Sequence, residues 1–285
     1  MPELPEVETV KRGLEPLMAG RVLDRVELLD HRLVQPYALE DVAARMQGHR
    51  IGHLGRRGKY LLIEFTDVDL VAVHHLRMTG SFAGPSQPTP SHVRLRYYLA
   101  GLPGPISYND PRRFGTLMLG THAEVNAYLG ERLGPEPLEG DFDAAYLHQR
   151  LRARSAPLKA VLLDQRVVAG LGNIYVDEAC FLSGTRPDLS ADRVSQAAAT
   201  RLVEAIRERL QEAIDVGGST LRDYRGVEGE VGGMQERFLA YGRAGRPCLV
   251  CGTTMRGARI AGRGTTWCPT CQPAGRRLTP SATQR

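Results

Sequence analysis

Four cysteines near the C-terminal end constrain this chain more than any other feature. Cys248 and Cys251, then sixteen intervening residues, then Cys268 and Cys271 form two Cys-x2-Cys pairs. At this spacing two knuckles on a β-hairpin close a tetrahedral metal site, and four thiolates suit one structural Zn2+. The arginines between the pairs, Arg256, Arg259 and Arg263, offset the negative charge that the thiolates bring. Gly262-Arg263-Gly264 falls at the expected hairpin tip, where a guanidinium between two flexible residues can clamp a phosphate. The fifth cysteine, Cys180, lies in an apolar helical stretch and reads as buried packing. Metal ligation, unlike a disulfide framework, suits a reducing compartment.

A chain of 285 residues, 42% hydrophobic and 24% charged, is long enough for two domains and a small appendage. No window is apolar enough to span a bilayer, and the first residues lack the basic-then-apolar layout of a secretory signal. A cytosolic address is therefore expected. The net charge of +5 favours an anionic partner, with basic clusters at Arg56-Arg57-Gly58-Lys59, Arg112-Arg113 and from Arg243 to Arg277.

Taken in order, Val7, Val10, Leu14 and Leu17 recur at helical spacing before Gly20. A strand over 21–29 and a helix over 38–47 follow, and to about Leu119 the pattern is strands: 60–65, 70–75, 92–99 and 116–119. Gly134-Pro135-Glu136-Pro137 reads as a linker. Beyond it the periodicity is helical, with candidates at 143–152, 157–163, 173–182 and 195–214. Gly170-Leu171-Gly172-Asn173 is a tight glycine turn opening a helix, a place where backbone N–H groups and an Asn cap can meet a phosphate. The glycine-rich stretch 217–233 has no periodicity and is too long for a plain connection, so a mobile loop over a site is expected. The residues after Cys271 read as a frayed basic tail.

The chemistry concentrates at the other end. Removal of Met1 exposes Pro2 as a secondary amine, one residue from the carboxylate of Glu3. Attack by that amine on a sugar C1′ gives an iminium, an electron sink able to drive both loss of a base and elimination of the neighbouring phosphates. Glu3 is placed to move the protons. The start of a helix disfavours the ammonium form and pushes the amine below its usual pKa of about 8. The plainer alternative is that Pro2 and Pro5 only start a helix, whose dipole the glutamates complement.

Pro2-Glu3-Leu4-Pro5-Glu6-Val7-Glu8-Thr9, Asn109-Asp110-Pro111-Arg112-Arg113-Phe114-Gly115, Gly170-Leu171-Gly172-Asn173-Ile174-Tyr175 and the cysteine set with Gly262-Arg263-Gly264-Thr265 stand in one order in one chain. From Pro2 to Gln272 the chain resembles the bacterial formamidopyrimidine-DNA glycosylases. The resemblance implies an α+β multidomain fold: an N-terminal β-sandwich with flanking helices over 1–134, a helical helix–two-turn–helix domain over 135–240, and a four-cysteine zinc finger over 241–272. Residues 273–285 would be a tail. It also implies a monomer in the bacterial cytoplasm, associated with the nucleoid through DNA. Its substrate would be duplex DNA bearing 8-oxoguanine, formamidopyrimidines or abasic sites, and strand cleavage by β- and δ-elimination would follow base removal.

By resemblance Pro2 is the Schiff-base nucleophile and Glu3 the acid/base. Lys59, Asn173 and Arg263 contact phosphates beside the lesion. His92 and Lys159 belong to the DNA-contacting set, although Lys159 could equally support structure alone. Met78, Arg112 and Phe114 match the trio that fills the gap left by an extruded base: thioether and ring replace stacking, and the guanidinium pairs with the widowed cytosine. Ser219, Thr220, Tyr224 and Glu228 match the loop that closes over that base. Leu4 and the long loop favour these purine enzymes over the related endonuclease VIII, which prefers oxidised pyrimidines. The rival from another class is a catalytically silent zinc-ribbon DNA binder.

Overall fold

The computed structural model describes residues 2–220 and 225–274. In chain order it has α1 (Leu4–Met18), β1 (Leu23–Leu28), α2 (Leu39–Met46), β2 (Ile51–Arg57), β3 (Tyr60–Phe65), β4 (Val71–His75), β5 (Ser81–Ala83), β6 (Val93–Leu99), β7 (Ile106–Asn109) and β8 (Thr116–Gly120). There follow α3 (His122–Gly130), α4 (Ala144–Arg152), α5 (Leu158–Leu162), α6 (Asn173–Leu182), α7 (Gln196–Asp215), β9 (Arg256–Ile260) and β10 (Arg263–Trp267). The chain divides into two compact units, one of residues 1–142, 164–172 and 207–237, the other of 143–163, 173–206 and 238–285.

The first unit holds two four-stranded antiparallel sheets, ordered β1-β6-β7-β5 and β2-β3-β4-β8. Alternation decides which residues face inward. In β3 Leu61, Ile63 and Phe65 are buried, and they share one apolar core with Leu95, Tyr97 and Leu99 of β6, with Val7, Val10, Leu14 and Met18 of α1, and with Val42 and Met46 of α2. Strand β4 is buried on both faces. Ala72 joins that core, whereas Val71 and Val73 pack with Val125, Leu129 and Leu133 against α3 and the residues after it. Helix α3 was not expected, because its apolar residues form no clear stripe. Its start is nonetheless written in the sequence: Thr121 accepts from the Glu124 backbone N–H, and Glu124 from that of Thr121, a capping box. Strand β2 was also missed, since Gly52, His53, Gly55 and Arg56 hide its alternation.

Gly134–Pro137, read above as a linker, is a fixed connection. Glu136 is buried and accepts from Arg56 Nη1 (2.8 Å), Arg57 Nη1 (2.7 Å) and the Gly58 backbone N–H (2.5 Å).

In the second unit α6 is apolar almost all round and buried along its length, as a central helix must be. Its two acids are satisfied internally. Glu178 accepts the backbone N–H groups of Leu239, Ala240 and Tyr241 at 2.8–2.9 Å, and Asp177 accepts from Lys159 and from the Thr266 N–H. Cys180 is buried, and burial pushes its thiol pKa up. Strands β9 and β10 form a hairpin pairing Ile260 with Arg263. Its two turn residues, Ala261 and Gly262, have φ of 49° and 72°, the left-handed pair that a tight two-residue hairpin requires.

Candidate active site and nucleic-acid interface

Pro2 and Glu3 are held from three directions. Helix α1 starts immediately after them, with Glu3 at its N-cap, and the Glu3 N–H donates to Glu6 Oε2 at 2.8 Å. The Leu4 N–H donates to the Gly170 carbonyl at 3.1 Å. Gly172 lies against the Glu3 carboxylate so closely that a Cβ there would stand 2.3–2.7 Å from its atoms. Gly170, at φ +84°, would likewise drive a Cβ into Leu4. The glycine turn is thus a cradle for the N-terminal dipeptide. Glu3 and Glu6 are each about 1% exposed, so a carboxylate sits in a water-poor setting one residue from the proline nitrogen.

Glu6, in the first turn of α1, does more than complement the helix dipole. Its Oε1 accepts both the N–H and the Oγ–H of Ser219, at 2.8 and 2.9 Å. One carboxylate therefore ties the first residues of α1 to the root of the glycine-rich loop. The only sequence signal for it is its place three residues after the N-cap.

The described part of that loop is anchored. The Thr220 N–H donates to Gln235 Oε1 and its Oγ1 accepts the Gly232 N–H. Val227 is 1% exposed within the main core, and Gly13 of α1 makes room for it, a Cβ there falling 2.9 Å from Val227 Cγ2. Burying one valine contributes about 1.5–3 kcal/mol, whereas ordering a residue costs about 1–2 kcal/mol. Val227 thus contributes enough to hold its immediate neighbours. Glu228 is exposed, its carbonyl accepting from Gln87 Nε2. Tyr224 lies outside the described residues.

Lys59 follows Gly58 (φ +57°) in the tight β2–β3 turn and is only 6% exposed. Read alone it would be a solvated strand-end charge; the Arg56, Arg57 and Glu136 cluster makes the difference by fixing the turn. Burial, with Arg77 and Lys59 adding repulsion, pushes His75 down to about 3, so that ring is neutral near pH 7.

Met78 is half-buried in the turn after β4, while Arg112 and Phe114 stand exposed between β7 and β8. Phe114 is 51% exposed, and the Arg112 guanidinium lies 4.8 Å from its ring centre, within cation–π range. A large aromatic side chain so placed has no packing role. His92, also exposed, accepts or donates to Ser91 Oγ through Nδ1 at 2.8 Å.

In the second unit, Asn173 opens α6 and its Oδ1 is buried without a hydrogen-bond partner among the described residues. Lys159 is fully buried: Nζ lies 2.6 Å from Asp177 Oδ1 and donates to the Gly264 carbonyl at 3.0 Å. Grouped above with the DNA-contacting residues, it has its ammonium committed inside the protein, where it holds the strand that carries Arg263. Arg263 itself is exposed as the first residue of β10. The sulfurs of Cys248, Cys251, Cys268 and Cys271 all lie within 4.8 Å of one another. The Val250 and Cys271 N–H groups point at Cys248 and Cys268 sulfurs at 3.5 and 3.4 Å. Tetrahedral zinc–thiolate bonds of about 2.3 Å place sulfurs at such separations, and the set fits one structural Zn2+. Among the described residues no helix is long and apolar enough to cross a membrane.

Three family models match in series: the formamidopyrimidine-DNA glycosylase N-terminal domain over residues 1–117, the formamidopyrimidine-DNA glycosylase H2TH domain over 133–225, and the zinc finger found in FPG and IleRS over 245–274. Formamidopyrimidine-DNA glycosylases of Hahella chejuensis and Rhizorhabdus wittichii are 42% and 47% identical, each match covering 95% of this chain and 100% of the relative. The MutM (Fpg) crystal structure from Thermus thermophilus superposes with a TM-score of 0.86 at 43% identity, covering 96% of this chain and 100% of that one. The Lactococcus lactis Fpg complex with DNA containing an abasic site gives 0.88 at 38% identity, with 95% and 100% covered.

Proposed function

The chain belongs to the formamidopyrimidine-DNA glycosylase family, and on that premise we propose that it removes oxidised purines from duplex DNA and then cuts the strand through a Schiff base on Pro2. The observation that carries this reading is the buried Glu3 carboxylate next to Pro2, fixed by the Glu6 carboxylate and by the glycine cradle at Gly170 and Gly172.

Once Met1 is removed, the Pro2 nitrogen is a secondary amine whose lone pair attacks C1′ of the damaged nucleotide. The bond from C1′ to the base nitrogen breaks and its electron pair leaves with the base, which takes up a proton. Glu3 supplies a proton to the sugar ring oxygen as the bond from C1′ to that oxygen breaks, the Pro2 nitrogen gives up its own proton to solvent, and the product is an iminium between Pro2 and C1′. The iminium acidifies C2′. Loss of a C2′ proton expels the 3′-phosphate, and a second elimination expels the 5′-phosphate. Low water content around Glu3 strengthens each charge interaction at the reacting carbon.

Lys59, Asn173 and Arg263 would grip the phosphates flanking the lesion, Met78, Arg112 and Phe114 would fill the gap, and Ser219, Thr220 and Glu228 would border the extruded base. His92 would belong to the DNA-contacting set. Zinc, held by the four thiolates, is a staple for the hairpin that presents Arg263 and takes no part in the chemistry.

A panel of duplexes tests the reading. Release of 8-oxoguanine and of formamidopyrimidine opposite cytosine should outpace release of thymine glycol by at least about tenfold, the size of about 1.4 kcal/mol in the transition state. Equal or faster handling of thymine glycol would place the chain with the pyrimidine-preferring relatives. DNA binding with no release of any base would leave the silent zinc-ribbon protein.

A further inference from the structure

The residues read as filling the gap come from two separate pieces of chain. Met78 sits in the turn after β4, whereas Arg112 and Phe114 sit between β7 and β8. Each is on a surface turn, and turns move independently unless something joins them. The flanking strands are paired, His75 with Thr116 and Ser81 with Asn109, and between those pairs the two turns meet at one buried carboxylate.

Asp110 is about 1% exposed. Its Oδ1 accepts the Thr79 hydroxyl at 2.5 Å, and its Oδ2 accepts the Gly115 N–H at 2.7 Å. Its carbonyl accepts the Arg113 N–H and Arg94 Nε, and its own N–H donates to the His92 carbonyl. Thr79 completes a relay, because the same hydroxyl that donates to Asp110 accepts the Arg112 N–H at 3.3 Å. Thr79 directly follows Met78, and Arg112 and Phe114 lie between the two ends that Asp110 holds. Hydrogen bonds from neutral donors to a carboxylate are among the stronger kinds, and burial makes any broken one costly.

A second clamp fixes the far side. Arg113 has φ of 58°, a left-handed conformation that costs a non-glycine residue about 1 kcal/mol and persists only when its surroundings over-determine it. They do so here: Arg113 Nε and Nη2 donate to Asp30 Oδ2 and Oδ1 at 2.5 and 2.7 Å, and Asp30 is 4% exposed. Between Asp110 and Asp30 the loop that carries Arg112 and Phe114 has no free hinge.

We propose that the Thr79–Asp110 hydrogen bond joins the Met78 turn and the Arg112–Phe114 loop into one rigid wedge, and that this joint sets how strongly the protein discriminates the base opposite the lesion. The inference rests on the reading of Met78, Arg112 and Phe114 as gap-filling residues. Thr79 and Asp110 are positioning residues: they act by holding Arg112 where its guanidinium meets the orphaned base in only one register. A loosened joint lets Arg112 adapt to a wrong base, so discrimination falls before affinity does.

The test compares Thr79→Val, which keeps the shape and removes the hydroxyl, with Thr79→Ser, which restores it. Affinity is measured on duplexes carrying a non-cleavable tetrahydrofuran abasic site opposite cytosine or adenine, so that no turnover is needed. Thr79→Val should lower the cytosine-over-adenine affinity ratio by about tenfold, the loss expected from one charge-assisted hydrogen bond. Thr79→Ser should return the ratio to within about twofold, by the same bond count. A ratio unchanged in Thr79→Val, or lowered equally in both variants, overturns the proposal.

A cycle built from Met78→Ala and Phe114→Ala adds an independent check. The two should be non-additive in the wild type and additive in the Thr79→Val background; additivity in both contradicts a joint. If the wild type excises no 8-oxoguanine, the proposed function fails, while these binding ratios still decide whether the joint exists.

Discussion

Gly172 shows how one side-chain hydrogen can decide a site. A Cβ at that position would meet the Glu3 carboxylate at 2.3–2.7 Å, and Glu3 has no room to retreat while Glu6 holds its backbone. Gly172→Ala should therefore cost about 1–3 kcal/mol of stability. It should slow single-turnover release of 8-oxoguanine by about a hundredfold, since an ångström of misplacement suffices for that. A variant with wild-type turnover would show that Glu3 tolerates displacement. His74 supports a second expectation at this scale. It is fully buried in the core, its Nε2 2.7 Å from the Tyr97 hydroxyl, and burial pushes its pKa down to about 3. An unfolded histidine takes up its proton near 6.5, so between about 6.5 and 3 the unfolded chain binds more protons and stability falls as pH is lowered. Replacing His74 with Phe should make the slope of unfolding free energy between pH 6 and 4.5 shallower by up to about 1.4 kcal/mol per pH unit; urea titrations at several pH values measure it, and an identical slope contradicts a neutral buried ring. The four cysteines were legible in the sequence because they sit in two short contiguous motifs, and the proposals for Pro2, Glu3 and Arg263 start from motifs of the same kind. Glu6 was not legible, because its partner Ser219 is 213 positions away. Neither was the burial of Lys59, which depends on Glu136 reaching Gly58 across 78 positions.

At the scale of elements, the zinc hairpin makes the sharpest prediction. Trp267 is the single tryptophan of the chain, and it is 6% exposed at the end of β10, beside Cys268. Cys248 and Cys268 also belong to a small core with Phe181, Ala240 and Met255. Stripping zinc with a strong chelator removes the charge that lets four thiolates share one point. Tryptophan emission should then shift to the red together with loss of DNA affinity, and zinc should restore both. A DNA affinity that survives a red-shifted spectrum would separate the hairpin from binding. The elements whose bounds the sequence places well are those with strong periodicity: α6 and β3 match their observed bounds, and α4 and α7 match within a residue. Those it missed lack periodicity for identifiable reasons. Strand β2 carries two glycines, β5 has three residues, β7 has four, and α3 is announced only by its capping box.

At the scale of the whole molecule, the residues assigned to chemistry and to the wedge, from Pro2 to Phe114 with Ser219, fall in the first compact unit. Asn173, Lys159, Arg263 and the metal ligands fall in the second. Both units are discontinuous in sequence: the chain returns to the first at 164–172, where it supplies the cradle for Glu3, and again at 207–237, where it supplies Ser219 and Val227. No reading of composition along the chain reveals such returns, because they are settled by long-range contacts. The order of motifs, by contrast, carried the family resemblance across almost the entire length. The account rests on one bond, between the Pro2 nitrogen and C1′ of the damaged nucleotide, and it is tested most directly by reducing that bond in place. Protein whose first residue is verified as proline is incubated with an 8-oxoguanine duplex in the presence of borohydride, and the adduct is digested and sequenced by mass spectrometry. The account predicts a stoichiometric adduct whose deoxyribose is attached to the peptide beginning Pro2-Glu3; an adduct on a lysine such as Lys59, or none under conditions where the base is released, contradicts it.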